Sequence, residues 1–181
     1  MRKVILYIAQ SLDGYIAKVD RSIDWLTQFG DAEAVAQDQS YQDLNERIDT
    51  VLLGRKTYEQ IVNELMIEPN VDYFYADKTN YVITSKDLAP RENVIFTSAD
   101  SVALVENLRM QKGKDIWVIG GARVIRALVE ADLIDEYQIT IAPILLGDGI
   151  RLFEAFKPRE QKLRLTKAVE RAGLIYLTYV K

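Results

Sequence analysis

Two residue types are missing altogether. The 181-residue chain has no cysteine, which excludes disulfides, thiol nucleophiles, thiolate metal sites and iron–sulfur clusters. It has no histidine either, so the usual zinc ligand is gone and any acid–base step falls to Asp, Glu, Tyr, Lys or water. An excess of basic charge is also lacking. The net charge of −4 argues against broad capture of nucleic acid and leaves small molecules as the expected partners. Long apolar runs are absent, because Gln10, Ser11 and Asp13 interrupt the N-terminal run well before membrane-spanning length. That run reads as a strand, and the protein as cytoplasmic with no membrane partner. Repeats and linker-like tracts are wanting too, so one domain over residues 1–181 is expected, with 49% hydrophobic residues to fill its core.

What is present alternates strand and helix. KVILYIA (3–9) is rich in β-branched and aromatic side chains and runs into a Leu-Asp-Gly turn, the pattern of a buried opening strand. A helix is expected from Asp31 to Arg47, then a strand TVLLG (50–54) and a helix RKTYEQIVNEL with Tyr58, Ile61, Val62 and Leu65 at helical spacing. Residues 66–80 hold a Glu-Pro-Asn turn and the aromatics Tyr73, Phe74 and Tyr75, a loop with a packed patch. Strands follow at 80–85 and 93–97, and a helix from Ser98 to Gln111 with Ser98 or Asp100 as its N-cap. DIWVIGG (115–121) is a buried strand, and ARVIRALVEADLID places Val124, Ile125, Leu128 and Val129 on one helical stripe. EYQITIAPILL, QKLRLTKAVE and LIYLTYVK read as strands, the last two joined at Ala172-Gly173. The fold class is therefore α/β: a mixed, mostly parallel central sheet flanked by helices, with a C-terminal antiparallel hairpin.

Chemistry is sought at the strand-to-helix corners. Gly120-Gly121 lets the backbone approach a ligand and aims unpaired helix N–H groups at an anion, phosphate being the natural guest. A bare glycine pair without a full GxGxxG fingerprint also fits a plain tight turn. A second corner, LLGRKTYE, offers Gly54, the cations Arg55 and Lys56, and the hydroxyl of Thr57. Cations at a helix N-terminus oppose the dipole, so they are either solvated surface charges or held by an anion. Thr84, Ser85 and Lys86 close the next strand, and clustered with Arg55 and Lys56 they suit a 2′-phosphate, favouring NADPH over NADH. Asp13-Gly14 and Asp24-Trp25 are explained equally well as a turn and a core aromatic.

Four segments in order, QSLDGYIA, DWL, LLGRKTYE and WVIGGARVIRALVEADLIDEYQITIAPILLGDG, resemble the dihydrofolate reductase-like superfamily, in particular the branch with the reductase domain of riboflavin biosynthesis. The resemblance spans nearly the whole chain. It implies a dihydrofolate reductase-like fold in which Gly54, Arg55, Lys56 and Thr57 hold adenosine-side phosphates, Thr84, Ser85 and Lys86 the 2′-phosphate, and Gly120, Gly121, Ala122, Arg123 and Val124 the pyrophosphate, with Ile119 also in the cofactor site. It further implies a cis peptide between the paired glycines, Ala9, Ile16 and Trp25 beside the nicotinamide, Asp13 near the substrate, and Asp31 or water as proton source; no metal is implied. Two departures concern the substrate: Asp31 and Glu33 are not in clear register with the pteridine-binding acid of dihydrofolate reductases, and Ile119 stands where the riboflavin branch has a carboxylate. The implied activity is an NADPH-dependent reductase, working as a homodimer, that moves hydride onto a C=N or C=O of a pterin-like or ribosylaminopyrimidine-like heterocycle. The alternative is an NADPH-binding module or oligomeric scaffold without catalysis.

Overall fold

The computed structural model describes residues 1–29, 39–65, 73, 75–154 and 160–181. Asp31, Glu33 and Phe74 lie outside these residues.

The apolar runs become strands where β-branched side chains pack on a pleated surface. The strands are β1 (Val4–Ser11), β2 (Tyr15–Ala17), β3 (Ile48–Gly54), β4 (Thr79–Ile83), β5 (Val94–Thr97), β6 (Asp115–Gly120), β7 (Glu136–Ala142), β8 (Ile150–Arg151), β9 (Arg164–Arg171) and β10 (Leu174–Val180). The helices are α1 (Gln39–Arg47), α2 (Arg55–Gln60), α3 (Ser101–Met110) and α4 (Ala122–Glu130), with a 3₁₀ turn at Leu26–Gln28 and a π-type turn, Ile61–Leu65, extending α2. Eight strands form one sheet in the order β5-β4-β3-β6-β1-β7-β10-β9. Its pairs are parallel from β5 to β7, while β10 pairs antiparallel with β7 and with β9. This is the mixed sheet that the alternation of elements predicts. The short antiparallel pair β2 and β8 departs from the expectation, because three- and two-residue strands carry no readable period.

Helices cover both faces. On one, Val105 and Leu108 of α3 and Val124, Ile125, Leu128 and Val129 of α4 pack onto Val4, Leu6, Leu52, Ile116 and Val118. On the other, Leu44 of α1 and Tyr58 of α2 pack onto Ile5, Val51, Leu53 and Trp117. The stripe on α4 is the one its 3.6-residue spacing predicts. Asp100 caps α3, its Oδ1 accepting from Val102 N and Ala103 N at 3.0 Å each. β9 is exposed along almost its whole length and forms the sheet's outer edge. Among the described residues no helix is long and apolar enough to cross a membrane.

Candidate functional site

Parallel strands deliver their carboxyl ends to one edge, where the loops leading to helices gather, and ligands of open α/β sheets bind there. Gly54 pairs with Ile83 and Leu53 with Gly120, so Thr84–Lys86, the Gly54 corner and the Gly120-Gly121 corner are neighbours on that edge. A Cβ added at Gly54 would stand 3.5 Å from Gly121 N and 3.6 Å from Val124 Cγ2, and one added at Gly121 would stand 3.2 Å from Thr57 Oγ1. The two corners thus form one cradle, kept open by absent side chains. Gly120 has φ +143°, a backbone that side-chain-bearing residues rarely adopt, and the Gly120-Gly121 peptide is cis, as the resemblance implies. Gly54 and Gly121 are the N-caps of α2 and α4, neither first turn contains an acidic residue, and no side chain caps either helix. In α4, Val124 N and Ile125 N donate to Gly121 O, while the N–H groups ahead of them, like those that open any helix, have no acceptor one turn back and are available to an anion.

Positive charge gathers beside it. The exposed Lys56 ammonium is held below its ordinary pKa first by partial loss of solvent and then by repulsion from Arg21, Arg123 and Arg55. Arg55 is paired with Glu59, Nη1 to Oε1 at 2.6 Å. Among the described residues Lys56 and Arg123 have no ion-pair partner. Arg21, in the loop after β2, was not predicted; it stands in an ordinary turn sequence, and only the fold brings it to α2, where Gln60 Nε2 donates to its carbonyl at 2.9 Å. Thr84 Oγ1 accepts from Lys86 N at 3.0 Å, fixing the turn after β4.

A cleft opens at the middle of the edge. β1 pairs with β6 only as far as Leu6 and Val118, while it follows β7 to Ser11 and β6 follows β3 to Gly120. Beyond that parting, Ala9 and Ile119 flank the gap, both half-buried. Ile16 and Ile8 each pack against the core on the α4 side of the sheet, whereas the alternation of β1 places Ala9 with Ile5 and Tyr7 on the other side. Trp25 is fully buried, so no face of its ring is open to a ligand here; among the described residues its indole Nε1 has no hydrogen-bond partner.

Asp13 has work within the chain. Its Oδ1 accepts from Ser11 Oγ at 2.6 Å and Leu146 N at 3.1 Å, and its Oδ2 from Gly147 N at 2.8 Å. These bonds, led by that from Ser11, pull its pKa down to about 2, so it carries no proton at neutral pH and cannot act as a general acid. The carboxylate clasps the loop before β8 to the loop after β1. A surface cleft of about 610 Å³ lined by Lys18, Val19, Asp20, Leu145, Leu146 and Asp148 borders this clasp and excludes the glycine cradle. Donor chemistry, rather than depth, makes the cradle a candidate anion site.

Known proteins resemble this chain along nearly its whole length. Residues 2–175 match the model of the RibD C-terminal domain family. The chain is 42% identical over 181 residues to the uncharacterized protein YwjB of Bacillus subtilis, covering 99% of this chain and 98% of that one. It is 25% identical to the riboflavin biosynthesis protein RibD of Corynebacterium ammoniagenes, covering 81% of this chain but only 44% of that longer protein. Among solved structures, a riboflavin biosynthesis-type protein of Shewanella sp. PV-4 superposes with a TM-score of 0.82 at 27% identity, covering 98% of each chain. A dihydrofolate reductase of Enterococcus faecalis complexed with NADP(H) shares the fold with a TM-score of 0.59 at 17% identity, covering 98% of this chain and 95% of that one. The family match over residues 2–175 and the 42% identity over 181 residues lead to one conclusion: this chain belongs to the RibD C-terminal domain family.

Proposed function

We propose that the protein is an NADPH-dependent reductase of a small heterocycle, pterin-like or ribosylaminopyrimidine-like. The observation that carries this reading is the joint cradle of Gly54, Thr57, Gly120 and Gly121, with Arg21, Lys56 and Arg123 around it. A pyrophosphate fits a place where side chains are excluded, two helix N-termini converge and uncompensated cations stand nearby. Ile119, Ala122 and Val124 border it. Thr84, Ser85 and Lys86, one strand further out, suit the 2′-phosphate that distinguishes NADPH. When bound, the nicotinamide supplies the hydride. The chain's own residues hold and orient: the gap between Ala9 and Ile119 accepts the ring, with Ile16 and the buried Trp25 supporting its surroundings. Asp13, ionised and clasped, acts by holding the loop over the substrate side, and the proton comes from water or from Asp31.

The chain works, on this reading, as a homodimer through its exposed β9–β10 edge, and in the cytoplasm. Cofactor binding is tested by melting: at NADPH a hundred times its Kd the protein should gain about 2.7 kcal/mol of stability. An unmoved melting temperature at millimolar NADPH would overturn the proposal. Binding without NADPH oxidation across pterins, folates and ribosylaminopyrimidines would instead favour a non-catalytic binding module.

A further inference from the structure

Four aromatic rings meet on the α1 side of the sheet, next to the gap: Tyr7, Tyr41 and Tyr75 each stand against Trp117, Tyr75 with centroids 5.1 Å apart. Tyr7 of β1 lies edge-on to Trp117 of β6, with centroids 5.9 Å apart, and Tyr41 of α1 stands 6.1 Å from Trp117 and 6.3 Å from Tyr7. Trp117 is almost entirely buried and its Nε1 donates to Tyr7 O at 3.1 Å, which makes it the fixed floor. Tyr41 is 37% exposed, unusual for a ring in contact with two others. Tyr7 is half-buried, and its hydroxyl lies 3.4 Å from Ser40 Oγ, so two groups able to donate or accept stand at the rim.

The register ties this cluster to the cleft. Tyr7 precedes Ala9 by two residues and Trp117 precedes Ile119 by two, so both rings share the sheet face of the residues that flank the gap. A substrate held against a ring in that gap extends along the face toward them. We propose that Tyr7, Ser40 and Tyr41 form the substrate-recognition wall, Tyr41 contacting the ring of an uncharged planar heterocycle and the Tyr7–Ser40 hydroxyl pair hydrogen-bonding its edge. This rests on the reductase reading above and adds to it the residues that choose the substrate. Aromatic contact suits a flat ring of any substitution, and the paired hydroxyls select one with polar edge atoms. Partial burial raises the Tyr41 pKa, with Asp77 adding to the effect, so its phenol stays neutral.

The test is calorimetric titration of the NADP⁺-saturated full chain with two probes, 7,8-dihydropterin and 5-amino-6-ribitylaminouracil. Tyr41→Ala should weaken whichever probe binds by about tenfold, and Tyr41→Phe, which keeps the ring, should bind like the parent. Tyr7→Phe should weaken the same probe while the Kd for NADP⁺ stays unchanged in every variant. Unaltered probe affinity in Tyr41→Ala, or no binding of either probe to an NADP⁺-loaded protein, overturns the assignment. If NADP⁺ itself fails to bind, the reductase reading falls, and the wall is judged by the same titration without cofactor: a probe affinity that Tyr41→Ala leaves intact, or no probe binding, sinks it.

Discussion

Gly120 and Gly121 are adjacent but needed for different reasons. Gly120 requires its φ of +143°, whereas Gly121 has φ −82°, open to any residue, and leaves little room, a Cβ there standing 3.2 Å from Thr57 Oγ1. Gly120→Ala should therefore lower stability by about 1–3 kcal/mol in chemical denaturation. Gly121→Val should leave the circular dichroism spectrum largely intact and abolish NADPH binding by fluorescence titration. Asp13 makes a second prediction. Its pKa falls from 3.8 to about 2 on folding, so its stabilising bonds are fully present above the ordinary carboxylate range and are lost as pH drops toward 2. The gap in melting temperature between the parent and Asp13→Asn should be widest near neutrality and close between about pH 4 and pH 2. The residue types at both glycine corners were legible in the sequence, since glycine between strand and helix has few uses. Asp13's partners were not, because Leu146 and Gly147 reach it from more than 130 positions away.

At the scale of elements, the periodic segments were read correctly where an apolar stripe met a recognisable cap. α3 is the clearest case: of the two candidates for its N-cap, Asp100 takes the role. Asp100→Ala should cost about 0.5–2 kcal/mol in urea unfolding, the worth of the two N–H groups it satisfies. The stretch after β3 shows where pattern reading stops. RKTYEQIVNEL has helical spacing throughout, but the regular helix ends at Gln60 and a wider turn continues it. Spacing of three and four residues cannot separate the two, since both place Tyr58 and Ile61 on the core. The aromatic wall was hidden for a different reason. Tyr7, Tyr41 and Trp117 belong to three elements, and only the strand order, with β6 inserted between β3 and β1, brings them together.

For the molecule as a whole, the parallel half of the sheet carries the candidate site, and the antiparallel half ends in an uncovered edge. Leu165 on β9 is 50% exposed and Ile175 on β10 is 38% exposed, an apolar border that a second copy would cover. Light scattering after size exclusion should give twice the chain mass, and Leu165→Lys should return it to the single-chain value. Fold class and strand direction were readable because βαβ alternation admits few topologies. The position of the cleft was not, since it depends on where two neighbouring strands cease to pair.

That parting of β1 from β6 separates two kinds of heredity. On the proposed reading, the floor for the cofactor is main chain and glycine, indifferent to most side-chain changes, while the wall for the substrate is made of side chains alone. A lineage can therefore exchange its substrate by redecorating Tyr7, Ser40 and Tyr41 without relearning how to hold its reductant. A library randomised at those three positions should yield folded, NADPH-binding members throughout, differing only in what they accept.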